Sequence, residues 1–297
     1  MNWKILHIGT SGRTGCLLIP SRKAKGDLAL NVCQSILVLT LFLAILACRA
    51  IIPDSGKSAR ATPALSSTIS YQTTVDELAS LLKSAGLPPK HLLEHNAARQ
   101  DTDFDVHEVF SILRHLRMET GYKLDYVYVY EDIAGFPLLY ARKADQPRYA
   151  TSSEFYLAAG GKADKDAYLL HIQTDGSPES YFQLALLKMM GAQFYLYWHA
   201  GYNDSLPVCD YFGLENLLND LENSGLDIPK KVKSEARKLN LDPQITIVNG
   251  EARVEFIYFT LWGGFNKAVY RFRQTFPHQL LESSSINLVE YDCGIVF

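Results

Sequence analysis

ITIVNGEARVEFIYFTLW, residues 245–262, decides the fold class. Ile245 and Ile247 alternate with Thr246, Asn249-Gly250 supplies the two left-handed positions of a type I′ turn, and alternation resumes through Ala252, Val254, Phe256 and Tyr258. That is a hairpin, expected as strands over 245–248 and 252–262. Period-two runs at 267–275 and 287–296 extend it into a meander, an antiparallel sheet with one face under helices.

Working outward toward the N-terminus, helices are expected over 211–223 and 229–239, and before them an aromatic strand over 193–199. The stretch 178–190 reads as a helix with Phe182, Leu186 and Met189 on its buried stripe, Ser177 as its N-cap and Pro178 at its first position. A strand is expected over 167–173. Leu124, Tyr126, Tyr128 and Tyr130 alternate with Val127 and Val129, and a return strand over 136–142 follows the turn Ala134-Gly135. Helices over 74–85, 89–99 and 105–120 form the front of the domain. There is no internal repeat and no regular βα alternation. The class is α+β: a helical N-terminal part and interspersed helices packed on a largely antiparallel sheet that ends in a C-terminal β-meander, read as one globular domain over 71–297.

What precedes that domain has a different character. Residues 36–47 read ILVLTLFLAILA, with no charge, after the basic cluster Arg22, Lys23 and Lys25. Counted over 28–47 the apolar stretch is about 20 residues, the length that crosses a bilayer at 1.5 Å per residue. Residues 1–48 therefore form a leader carrying a signal or anchor segment. Residues 49–70, rich in Pro, Ser, Ala, Thr and Gly, cannot bury a core and read as a flexible tether. At the junction, Ile45-Leu46-Ala47-Cys48 resembles a bacterial lipobox, which implies that Cys48 receives the lipid. The expected location is a membrane-anchored domain on the extracytoplasmic side, with the membrane as partner through this segment or its lipid.

Charge narrows the partners further. Residues 1–60 hold eight Lys or Arg against Asp27 and Asp54, which leaves 21 basic and 30 acidic residues in the rest of the 297-residue chain. The folded part is acidic and repels a phosphate backbone, so nucleic acid is excluded as a partner.

Three groups of residues offer chemistry. His91-Leu92-Leu93-Glu94-His95 matches H-x-x-E-H, the zinc motif of the inverted zinc peptidases, in which two imidazoles one helical turn apart hold the metal and Glu activates its water. Tyr195-Leu196-Tyr197-Trp198-His199 runs into a polar loop containing Tyr202 and Asp204, and His199 with Asp204 forms a candidate base and its orienter. Cys209 and Cys293 remain once Cys16, Cys33 and Cys48 are assigned to the leader. In an oxidising compartment that pair is expected to form a disulfide; otherwise either thiol is a candidate nucleophile beside a histidine. His171 reads as a satisfied core histidine. Gly160-Gly161 and Gly263-Gly264 lack the context of a phosphate-binding loop, and no cofactor is expected.

Three functions of different class follow. The leading one is a membrane-tethered binding or envelope-structural domain. The second is a hydrolase built on His199 and Asp204 or on a Cys-His pair, and the third is a zinc peptidase at His91, Glu94 and His95.

Overall fold

Asn249 (φ 53°) and Gly250 (φ 79°) take the left-handed conformation that a type I′ turn demands. The computed structural model describes residues 3–10, 13–20, 70–131, 134–162, 164–198, 200–201 and 204–294. The turn joins Gln244–Val248 to Glu251–Thr260, and the sheet continues antiparallel through Gly264–Arg273 to Leu280–Val289.

In chain order the strands are β1 (Trp3–Thr10), β2 (Arg13–Pro20), β3 (Leu116–Met118), β4 (Tyr122–Glu131), β5 (Ala134–Lys143), β6 (Ile172–Thr174), β7 (Tyr197–Trp198), β8 (Leu206–Val208) and the four of the meander, β9 to β12. The α-helices are α1 (Tyr71–Ser84), α2 (Ser152–Ala158), α3 (Pro178–Met190), α4 (Tyr211–Asn223) and α5 (Lys230–Ala236). The largest sheet has the order β12-β11-β10-β8, with β9 sharing the β10 edge. β4-β5-β7 and β3-β6 form smaller sheets, and β1-β2 forms a hairpin within the stretch read as leader. Among the described residues every strand pairing is antiparallel, and the class is α+β as expected.

The core forms around α3. Its stretch is apolar on nearly every side, so it is buried almost all round. Phe182 meets Phe256 of β10 on one flank and Tyr71 of α1 on another, while Tyr126 and Tyr128 of β4 belong to the same cluster. Ser177 Oγ accepts from Ser180 N at 3.1 Å with Pro178 following, the cap its sequence called for. A second cluster lies under α4 and α5, where Leu214, Leu218 and Val232 cover Ile257, Phe259 and Phe265.

Several boundaries differ from the sequence reading. The helices expected over 89–99 and 105–120 are short 3₁₀ turns, Lys90–Leu93 and Val106–Ser111. Val106, Val109, Leu113 and Leu116 are all buried, and a spacing of three to four residues fits a 3₁₀ turn running into β3 as well as it fits an α-helix. The strand expected over 167–173 opens as the 3₁₀ turn Ala167–His171, with β6 only after it. The aromatic strand at 193–199 shrinks to β7, because Tyr195 (φ 52°) and Trp198 (φ 47°) turn left-handed. The final strand is β12 rather than 287–296. As an edge strand it is mostly exposed, and Leu-Leu-Glu-Ser-Ser-Ser-Ile-Asn-Leu-Val carries little alternation to read. Cys293 consequently lies beyond the last strand. α1 starts three residues early, at Tyr71.

Among the described residues no helix is long and apolar enough to cross a membrane. The apolar segment 28–47, Cys48 and the tether through residue 69 lie outside the described residues.

Candidate functional site

β4 holds an acid where its surroundings are apolar. Leu124 to Val129 are buried at six consecutive positions, and Asp125 is one of them. A carboxylate taken out of water costs several kcal/mol unless it is paired and hydrogen-bonded. Two guanidiniums meet it: Arg99 Nη1 on Oδ1, and Arg142 Nε on Oδ2 at 2.7 Å. Tyr126 N donates to Oδ1 as well, at 2.9 Å.

The strand ladder and one loop position these groups. Arg142 of β5 stands directly opposite Lys123 of β4 and diagonal to Asp125. Like charges facing each other across a ladder are destabilising, so the Lys123–Arg142 pair is a local conflict that the fold tolerates. Arg99 comes from the loop after the first 3₁₀ turn. Asp103 pins that loop, accepting from Gln100 N at 2.6 Å and lying 3.1 Å from His91 Nε2. Asp105 caps the second 3₁₀ turn through His107 N at 3.0 Å. Phe104 is held at both ends, its N donating to Tyr195 Oη at 3.1 Å and its O accepting from Arg99 Nη2 at 3.0 Å.

Arg99 is enclosed, with a side chain only 8% exposed, and its guanidinium carbon sits 4.0 Å above the Tyr126 ring. Its Nε is sealed from solvent with no hydrogen-bond partner among the described residues. Burial raises the Tyr126 hydroxyl pKa, and the adjacent Arg99 opposes the rise through its charge and as a hydrogen-bond donor. Arg148, on the loop after β5, pairs with the exposed Asp101. Its guanidinium pKa is lowered by partial burial and by the neighbouring Arg99.

Together these side chains line a cleft of about 180 Å³, with Lys123 on its lip. Its carboxylates are committed: Asp125 to two arginines, Asp103 to the loop, Asp105 to a turn. With Asp101, which pairs with Arg148, four acids stand against the four cations Arg99, Lys123, Arg142 and Arg148, and Lys123 is the cation with no ion pair among the described residues. A second cavity of about 170 Å³ lies between β5 and α2. Its aromatic walls, Tyr140, Tyr149 and Phe155, pack against one another with centroids 5.0 to 5.4 Å apart, and the Tyr140 hydroxyl is used by Tyr149 N. It reads as packing.

The residues singled out from sequence do not converge there. His91, Glu94 and His95 occupy a four-residue 3₁₀ turn and its extended exit, so the two imidazoles do not share an α-helical face, and His91 is turned to Asp103. Among the described residues no group of three or more His, Cys, Asp or Glu is placed to hold a metal. His199 and Tyr202 lie outside the described residues. Asp204 is described: the residue retains partial exposure, but its Oδ1 is sealed with no hydrogen-bond partner among the described residues, and burial pushes the carboxyl pKa up to about 7.

Cys209 and Cys293 are not joined in a disulfide, contrary to expectation. Cys209 belongs to the core around α3, whereas Cys293 packs against the cluster under α4 and α5. Burial, with Asp210 and Asp76 nearby, drives the Cys209 thiol pKa far up, which holds it protonated and removes it as a nucleophile. His171 is satisfied, though not in the core: Nδ1 lies 2.7 Å from Glu119 Oε2 and the ring stacks on Tyr122 at 4.0 Å.

Arg99, Asp125, Arg142 and Arg148 were not singled out from the sequence. The available signal was Asp125 itself, an acid inside the buried run Leu-Asp-Tyr-Val-Tyr-Val, which requires a cationic partner. No protein-family model, curated protein or solved structure matches this chain.

Proposed function

We propose that this chain is a binding domain held at a membrane surface on its extracytoplasmic side, with its ligand entering the cleft formed by β4, β5 and the loop of Arg99 to Asp105. The enclosed Arg99 carries this reading. Fixed by Asp125, Phe104 and the Tyr126 face, it is a preorganised cation in the wall of a cleft that Arg148 and Lys123 also line. A cation held in place by enclosed partners next to a concavity is suited to orienting a ligand there.

The lining favours binding over catalysis. Arginine and lysine supply donors and charge. The cleft is smaller than the roughly 300 Å³ of a drug-sized site, so it fits a small ligand or one group of a larger one. Tethering is supported by the apolar segment 28–47 and the lipobox-like tetrad. The full chain in detergent micelles, screened by thermal unfolding against pooled anions, cations, sugars and amino acids, tests the reading. At least one compound is expected to raise the midpoint in wild type and not in Lys123→Ala. If no compound raises it, or if every stabilising compound acts equally on Lys123→Ala, the cleft is not the site.

Asp204 favours hydrolysis as a second reading. A carboxyl group that changes protonation near pH 7 is matched to general acid–base work. Ester and amide substrates offered to the full chain test it: turnover that survives Asp204→Asn contradicts the reading.

A further inference from the structure

We infer that the cleft takes a small oxyanion, a carboxylate or phosphate group, and that Asp101 is its built-in competitor for Arg148. The inference rests on the binding reading above and adds the ligand's chemistry.

The two acidic partners of the arginines differ in kind. Asp125 is buried, with a side chain 7% exposed, and is held by Arg99, Arg142 and a backbone amide. Removing it leaves enclosed charge, so it is a fixed part of the wall. Asp101 is 88% exposed and meets only Arg148. Exposed ion pairs contribute little, because water solvates both partners and screens them. Rotation of the Asp101 side chain into solvent hydrates its carboxylate and leaves Arg148, 29% exposed, with Gln100 O at 3.4 Å and an open fork.

Arg148 and Lys123 then face the cleft as donors, with Asp105 the exposed acid that stays in its lining. Arg148 offers a planar fork suited to two oxygens and Lys123 an ammonium with no ion pair among the described residues, while the enclosed Arg99 adds charge from the wall. The opposition of Lys123 to Arg142, and the pressure of Arg99 on Arg148, are both relieved by negative charge between them. Volume agrees. About 180 Å³ corresponds to roughly six waters, room for a phosphate or a carboxylate-bearing group with part of its hydration. Asp101 thus stands where the ligand's oxygens would stand.

The test is calorimetric titration of the full chain in neutral detergent with inorganic phosphate in one arm and succinate in the other. Wild type, Asp101→Asn, Arg148→Gln and Arg148→Lys are compared. At least one anion is expected to bind, and the tighter arm assigns the group. Asp101→Asn should tighten binding by roughly two- to fivefold, the size of an exposed ion pair. Arg148→Gln should weaken it by roughly tenfold or more, with Arg148→Lys between the two because it keeps the charge and loses the fork. Failure of both anions, with a neutral or cationic compound bound in the cleft, overturns the inference and leaves the binding reading intact. If nothing binds there, both fall. An unchanged or weaker affinity in Asp101→Asn overturns the competitor role.

Discussion

Asp125→Asn removes one charge from the cleft wall while keeping the side chain's size. Arg99 then remains enclosed, with Phe104 O at 3.0 Å and the Tyr126 ring at 4.0 Å as its fixed contacts. A desolvated cation–π contact contributes about 2 kcal/mol and one charged hydrogen bond a similar amount, whereas an enclosed guanidinium without its counter-ion loses more than both. Arg142 suffers less, since its side chain is 20% exposed and Gln146 O accepts from it at 2.7 Å. Breaking a buried pair from one side costs about 3–5 kcal/mol, which for a domain of this size lowers the unfolding midpoint by roughly 10 °C. Urea unfolding of the full chain, followed by tryptophan fluorescence, measures it. The paired replacement Asp125→Leu with Arg99→Met removes the two most enclosed charges and should recover part of the loss, the remainder being the counter-ion that Arg142 still lacks. A loss below about 1 kcal/mol in Asp125→Asn, or a double variant weaker than the single one, refutes the reasoning.

Asp204, raised to about 7 by burial, holds a proton in the folded state that the unfolded chain releases near pH 4. Stability should fall as pH rises from about 4 to 7, and Asp204→Asn should remove that fall; a flat wild-type profile across the window contradicts the assignment. His278 behaves oppositely: burial lowers its pKa, so the unfolded chain binds the proton first, and stability is lost as pH drops below about 6.5. His278→Gln should flatten that acidic limb in the same measurement. Gly264 takes φ +72°, and a Cβ there would meet Val289 O at 2.2 Å, so Gly264→Ala should cost about 2–4 kcal/mol as read by denaturant midpoint. Mass spectrometry of the membrane fraction should find a mature N-terminus at an acylated Cys48; any other terminus, or an unmodified thiol, removes the lipid attachment and leaves the uncleaved anchor.

The parts of the fold legible in the sequence are those whose local chemistry admits one answer. Asn249-Gly250 fixes its hairpin and Ser177-Pro178 starts α3. Illegible parts depend on distant partners. Val106 to Leu116 present a spacing compatible with two helix types, and pairing of β3 with β6 decides between them. β12 is exposed and serine-rich, so register with β11 rather than alternation sets its limits. The cleft is built the same way. Arg99, Asp125 and Arg142 meet because β4 and β5 pair with Glu131 opposite Ala134, so that Ala134-Gly135, read as the turn, belongs to the strand, and because the loop after Lys90–Leu93, which has no local signature, folds across them. Asp125 was the one position where the sequence announced an unmet need.

Amide hydrogen exchange of the full chain, with and without the compound that most raises its unfolding midpoint, tests the binding site most directly. Slowed exchange is expected in the loop of Gln100 to His107 and at the β4 and β5 positions around Lys123 and Arg142, with little change elsewhere. Protection centred on Asp204 or on the aromatic cavity beside α2, with the loop of Gln100 to His107 unchanged, would contradict a ligand site in the arginine cleft.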